Sequence, residues 1–159
     1  MAARPPTAEE LTACPCLRLR QVTRRVTQIY DQALAPAGVT SSQFSLLSYL
    51  QMLRSPSIGE LADRMMVDPT TLTRTLRPLE AAGLIVIASD RNDRRRRTVA
   101  STDAGRAAFR KAVPLWRRAH AALGNRLGAS GLATLQTALD LPLRRLESDA
   151  GQTILKRRA

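Results

Sequence analysis

Leu84-Ile85-Val86-Ile87-Ala88-Ser89-Asp90-Arg91-Asn92-Asp93-Arg94-Arg95-Arg96-Arg97 decides how the rest of the chain is read. An apolar run leads into a polar segment with five arginines in seven residues, and β-forming sequence resumes behind it. This pattern predicts a two-stranded hairpin that holds a charged loop out into solvent. A merely solvated loop needs no such charge density. A polyanion accounts for it, because each arginine placed on a phosphate displaces condensed counterions. Nucleic acid is therefore the first class of partner the residues suggest.

The same bias runs through the whole chain. Lys+Arg number 25 against 13 Asp+Glu, a formal net charge of +12 over 159 residues, and only Lys111 and Lys156 are lysine. Arginine brings a planar donor fork suited to phosphate and to guanine edges. A G+C-rich genome raises arginine too, so the excess charge is more telling than the Arg/Lys ratio. The length allows one domain, or two small interleaved parts, with a real core. No apolar segment approaches the ~20 residues of a membrane span. Met1 to Pro6 holds one arginine and no apolar core, so no secretory leader and no membrane association are expected. Two cysteines spaced C-x-C form no disulfide framework, and a reducing, cytoplasmic setting is expected.

Upstream of the hairpin, Asp68-Pro69 sets an N-cap acid before a first-turn proline and predicts a helix that ends by Gly83. Leu72, Leu76 and Leu79 are spaced four and three and should face a core. Thr70, Thr73, Arg74 and Arg77 fall on the opposite stripe, with Thr71 near the start. Short hydroxyls and arginines at the N-terminal end of such a helix suit major-groove reading. In isolation the same stripe would be an ordinary solvated face. Ser57 to Glu60 has capping-box spacing and opens a short helix with Ile58, Leu61, Ala62 and Met65 on one face. Thr40 to Gln43 repeats the box, with Val39 and Phe44 placed for a hydrophobic staple, before a helix burying Phe44, Leu47 and Leu50. Leu19, Val22, Val26, Ile29 and Ala33 predict a helix from Pro15 to about Leu34, stopping near Pro36 and Gly38.

Downstream of Thr102 the pattern is helical again through Phe109, Val113 and Trp116. It breaks at Gly128 and Ser130, then resumes with Leu132, Leu135, Leu139, Leu143 and Leu146. Pro114 and Pro142 should kink these helices, and the tail Lys156-Arg157-Arg158 should fray. The expected fold is mainly α with a small β-hairpin: helix, short helix, tight turn, helix and hairpin, followed by long C-terminal helices. Trp116, Leu132, Leu135, Leu139, Leu143 and Leu146 are an expected homodimer interface, since they form a large apolar inventory with little else to pack on within one chain.

Three stretches resemble the winged helix-turn-helix regulators of the multiple antibiotic resistance regulator (MarR) family. Val67-Asp68-Pro69-Thr70-Thr71-Leu72-Thr73-Arg74 is similar to the start of the family's recognition helix. Leu79-Glu80-Ala81-Ala82-Gly83-Leu84-Ile85 is similar to its exit into the wing. Asp93-Arg94-Arg95, followed by Thr102 and Gly105, resembles the Asp-x-Arg wing signature. That signature ordinarily ends Leu-Thr-x-x-Gly, and Ser101 stands here for the leucine, which should loosen the wing's base.

The resemblance implies a winged helix-turn-helix plus long dimerisation helices: an N-terminal dimerisation helix (1–38), a DNA-binding lobe (39–103) and C-terminal dimerisation helices (104–159), with Leu19 and Val22 of the first helix joining the interface. It also implies a symmetric dimer on pseudo-palindromic double-stranded promoter DNA, a repressor released by a small ligand or an oxidant. It implies that Asp93 holds Arg95 for entry into the minor groove. Arg94, Arg96 and Arg97 are then expected on phosphates and Arg91 in solvent.

Cys16 is the candidate redox sensor. It lies in the first turn after Pro15, where free amides and the helix dipole favour a thiolate, with Arg18 and Arg20 nearby. It also sits where peroxide-sensing relatives carry their reactive cysteine, fourteen residues before Tyr30. Those sensors have a second tyrosine where this chain has Arg20, and a small apolar cysteine packed at the dimer body is the competing reading. A Cys14–Cys16 disulfide is not expected, because i and i+2 side chains diverge on a helix. Two cysteines and the lone His120 are too few for a metal, and no cofactor is expected. His120, four residues after Trp116 on one helix face, suits a packing or interface position better than a ligand role. A small aromatic effector is implied by resemblance, with Tyr30, Phe44, Tyr49, Phe109 and Trp116 the aromatics available to line its site. No catalytic constellation is present, so an enzyme is not expected. A low-specificity architectural DNA binder remains the rival class.

Overall fold

The computed structural model describes residues 4–90, 93, 95–128 and 130–157. Arg91 and Arg94 of the arginine loop, and Arg158 of the tail, lie outside the described residues. The elements are α1 (Ala8–Ala13), α2 (Pro15–Leu34), a 3-10 turn (Ala35–Ala37), α3 (Ser41–Leu53), α4 (Ile58–Met65), α5 (Pro69–Ala81), β1 (Ile85–Ser89), β2 (Arg97–Ser101), α6 (Asp103–Leu127) and α7 (Gly131–Arg157). Among the described residues, no helix is long and apolar enough to cross a membrane.

Local chemistry sets most of these boundaries. Thr40 and Gln43 close a reciprocal capping box at α3, and Ser57 and Glu60 close one at α4. Val39 and Phe44, the expected staple, are both buried. Asp68 caps α5, and Gly83 ends the passage out of it in the left-handed region at φ 69°. The short helix α1 was not expected, although Thr7 and Glu10 form the same reciprocal box. Helix α7 continues through Lys156 and Arg157, two of the residues expected to fray. Neither Pro114 nor Pro142 ends its helix, and Pro78 lies inside α5.

By compactness the chain falls into residues 1–119 and 120–159, divided inside α6. In the first unit, Leu34, Leu46, Leu47, Leu50, Leu61, Leu72, Leu76 and Leu79 are almost wholly buried, joined by Ile85, Val99 and Ala112. Each such leucine contributes about 2 kcal/mol relative to exposure. The leucine stripe of α5 therefore fixes which face of that helix is left outward. In the second unit, Gly128 takes the left-handed region at φ 84° between α6 and α7, and the amide of Gly131 donates to its carbonyl at 3.1 Å.

The two strands pair antiparallel from Ile85↔Ser101 to Ser89↔Arg97, so Arg97 belongs to β2 rather than to the loop. The outer edge of β2 is tied to the segment before α4. The amide of Val99 donates to the Pro56 carbonyl at 2.9 Å, and Ser57 bridges Thr98. Arg54 turns the chain into that segment at φ 62°, ψ −73°, with the Ser55 amide donating to the Leu53 carbonyl at 2.9 Å. At the base of the hairpin, Thr102 holds wing to helix: its amide donates to the Leu84 carbonyl at 3.1 Å and its hydroxyl to the Gly83 carbonyl at 2.7 Å.

Candidate nucleic-acid interface

Helix α5 presents its outer face through side chains, not through its N-terminal amides. The carboxylate of Asp68 accepts from the amides of Thr70 (2.8 Å) and Thr71 (3.3 Å), and Pro69 has none to offer. The Thr70 amide, and then that of Thr71, hold the Asp68 carboxyl below its ordinary pKa. The helix start is thus electrostatically satisfied by its own cap. Thr70, Thr71, Arg74 and Arg77 are exposed. Neither arginine has an ion pair among the described residues. Thr73 differs from its neighbours. It is half-buried, and its hydroxyl donates to the Pro69 carbonyl at 2.8 Å, leaving lone pairs as its outward chemistry.

The hairpin tip is held by its own backbone. Asp93 Oδ1 accepts from the Arg95 amide at 2.9 Å, so Asp93 braces Arg95 through the main chain. The amide of Arg96 donates to the Asp93 carbonyl at 2.9 Å, and its carbonyl accepts from the Asp90 amide at 2.8 Å. Arg95 and Arg97 are exposed. Arg96, expected on a phosphate, is instead paired within the chain: its guanidinium lies 2.7 Å from Glu60 Oε1 on α4. Glu60 was legible only as a capping-box residue, and no local signal links it to the wing.

The Ser57 amide and the Arg96 guanidinium hold the Glu60 carboxyl at about 2, below its ordinary 4.5. Because the folded-state pKa is depressed, the stabilisation is complete above about 4.5 and is lost as pH falls toward 2. The stability difference between the native chain and Glu60→Gln, from urea denaturation at pH 6 to 2, should therefore be constant near neutrality and shrink across that window. A difference independent of pH would contradict the pairing.

A second feature lies beside α2 and α3. A cleft of about 320 Å³ is lined by Val26, Thr27, Tyr30, Ser41, Ser42, Phe44, Ser45 and Trp116. Its floor is rigid: Asp31 Oδ1 accepts from the Ser41 amide at 2.6 Å, and Phe44 stacks on Phe109 at 5.3 Å and on Trp116 at 5.9 Å. Burial raises the Tyr30 phenol, which stays protonated at neutral pH. Three of the five aromatics thus line one cleft, a convergence of distant segments that no local pattern announces.

Of the residues expected at a dimer interface, Leu19 and Val22 are 50% and 45% exposed, and Leu143 and Leu146 are 47% and 64% exposed. Leu132, Leu135 and Leu139 are half-buried. Trp116 spends a ring face on Phe44 of its own chain. Cys16 is exposed and shares a shallow depression with Leu19, Arg20, Thr23 and Arg24. Arg18 is drawn away, donating to the Thr12 carbonyl at 2.8 Å. Cys14 is the extended N-cap of α2 (φ −61°, ψ 118°), not a helical position. The expectation that helix geometry splays the two thiols apart therefore does not hold, because Cys14 lies outside the helix.

A sequence model of the MarR family matches residues 39–96, which run from the staple before α3 to the wing tip. The Mycobacterium tuberculosis transcriptional regulator MosR, solved in complex with DNA, is 34% identical, with 92% of this chain covering 99% of that one at a TM-score of 0.61. The chain belongs to the MarR family. The transcriptional repressor CouR, solved on a 23-mer DNA duplex, is similar at 26% identity, 88% and 99% coverage and a TM-score of 0.75. TtmR, a helix-turn-helix transcriptional regulator of Methylorubrum extorquens, is 32% identical over 57% of this chain and 47% of its own length, so the match spans about half of that curated relative. As a MarR-family winged helix-turn-helix, the chain has α4 and α5 as the helix-turn-helix pair and β1–β2 as the wing. Met66, left-handed at φ 53°, makes the turn between α4 and α5.

Proposed function

We propose that this chain is a transcription regulator rather than an enzyme, and that as a homodimer it binds pseudo-palindromic promoter DNA. The observation that carries the reading is the outer face of α5. Thr70, Arg74 and Arg77 stand exposed on a helix whose amides are already satisfied by Asp68, so contact there falls to side chains that read base edges. The wing supplies sequence-independent affinity, with Arg95 directed to the minor groove and Arg97 to a phosphate. The apolar residues exposed at Leu19, Val22, Leu143 and Leu146 support a second copy as their cover. The cleft beside Tyr30 and Trp116 supports release from DNA by a small aromatic effector. Its lining offers ring faces and hydroxyls and falls in the usual size range of ligand sites.

The test is selection of bound genomic fragments followed by binding titrations. A regulator selects a shared palindrome with half-sites about 10 base pairs apart, or a small multiple. It prefers that palindrome over random duplex by ~10³ or more at physiological salt. A ratio near unity would make the chain an architectural binder instead. Light scattering at micromolar concentration should give twice the chain mass, and a monomer would overturn the dimer.

A further inference from the structure

We propose that Glu60 is a specificity-determining positioning residue, a latch that ties the wing to α4 through Arg96 and withholds that arginine from the DNA backbone. The inference rests on the DNA-binding reading above and goes beyond it. It concerns a residue that touches no DNA in that reading and that reduces the wing's available charge.

Three ties climb β2 in order. The Val99 amide binds the Pro56 carbonyl at 2.9 Å, Ser57 bridges Thr98, and the Glu60 carboxylate meets Arg96 at 2.7 Å. The first two hold the body of the strand, and the third reaches the loop. Arg96 is also the loop's backbone hub, bonded through its amide to Asp93 and through its carbonyl to Asp90. Fixing its side chain on α4 therefore sets where the Asp93–Arg95 turn stands relative to the helix-turn-helix. Glu60 itself cannot drift, because Oε2 accepts from the Ser57 amide (2.8 Å) and hydroxyl (3.0 Å) while Oε1 faces Arg96. One carboxylate caps a helix with one oxygen and holds the wing with the other.

The pair is exposed, 45% at Arg96 and 56% at Glu60, so it biases the wing and does not lock it. Against a phosphate it acts twice: Arg96 must leave a partner, and the remaining carboxylate repels the backbone. Nonspecific affinity is built from such phosphate contacts and loses most by this. Binding to the operator gains in return from a wing already in register.

Glu60→Gln is the clean test, because glutamine keeps a carbonyl oxygen for the capping box and gives up only the charge. The latch predicts a steeper dependence of log K on log salt, by about 0.9 per subunit. It predicts random-duplex affinity rising about threefold per subunit, with operator affinity rising less, so that the specificity ratio falls. Arg96→Gln in the native background should leave the salt slope unchanged. Without DNA, the melting temperatures of the native chain, both single variants and the double variant should be non-additive.

An unchanged slope for Glu60→Gln, a flatter slope for Arg96→Gln, or additive melting temperatures would each overturn the latch. A native chain that binds no duplex would overturn the DNA-binding reading with it. A native chain with a normal salt slope and an unaffected Glu60→Gln variant would overturn the latch alone.

Discussion

Gly105→Ala should unfold the junction between wing and α6, lowering stability by about 3 kcal/mol or more and the melting temperature by about 6–12 °C. A Cβ at this position would run into the Leu84 carbonyl oxygen and fall 2.9 Å from its carbon. Neither atom can yield cheaply, because the Leu84 oxygen already accepts from the Thr102 amide, and the Thr102 hydroxyl is shared between the Gly83 carbonyl and the Gly105 amide at 3.0 Å. Any shift that clears the methyl group breaks the hydrogen bonds that anchor β2 to α6. DNA affinity should fall further than the stability loss explains, since the wing base moves with Leu84. Gly59→Ala is the matched control: it lies inside α4, its nearest neighbour is Ser57 Oγ at 4.0 Å, and alanine there should be neutral or stabilising by about 0.5–1 kcal/mol. Calorimetry decides the matter, and a Gly105→Ala protein melting within 2 °C of the native chain would sink the argument.

The same junction shows where local reading works and where it stops. Thr102 and Gly105 stood out in the sequence as the end of a family signature, but their reason, a methyl-sized conflict with a carbonyl upstream, becomes visible only in three dimensions. Ser101 was expected to loosen the wing's base. Its hydroxyl is buried with no hydrogen-bond partner among the described residues, a cost the family's usual leucine does not incur. Helix boundaries were legible because their causes lie within four residues: the boxes at Thr40 and Ser57, the Asp68-Pro69 cap, and Pro15 at the start of α2. Helix α1 has the same box at Thr7, but a turn and a half shows no apolar stripe to read, and its Leu11 is 50% exposed.

The interface was legible to a different degree. The face of α5 follows from the spacing of Leu72, Leu76 and Leu79, since burying one stripe exposes the other. The wing arginines were visible as a cluster but not as individuals. Arg97 is a strand residue, Arg96 is engaged by Glu60, and Asp93 braces the Arg95 backbone amide. Those distinctions depend on strand register and on contacts between segments far apart in the chain, and composition carries neither. The cleft is a similar case, assembled from α2, α3 and α6.

Arg74→Ala should produce the largest change in recognition. Arg74 is exposed and without an ion pair among the described residues, one helical turn beyond Thr70 and one before Arg77 on the face that the leucine stripe turns outward. Losing a bidentate contact to a base costs about 1–3 kcal/mol. A symmetric dimer loses it twice, so operator affinity should fall about 30-fold to 10⁴-fold. Affinity for random duplex should fall only a few-fold, because a guanidinium that reads no base there contributes one screened charge per subunit. The helix itself should survive, since Asp68 caps it and alanine favours it. Arg97→Ala is the informative partner. It removes an exposed strand cation, so operator and random DNA should weaken alike, with the salt slope flatter by about 0.9 per subunit. Equal losses on operator and random DNA for Arg74→Ala would move that residue from the reading face to the phosphate contacts and leave specificity to Thr70 and Arg77. A ratio that collapses for Arg74→Ala and holds for Arg97→Ala would separate the two roles that one arginine-rich composition conceals.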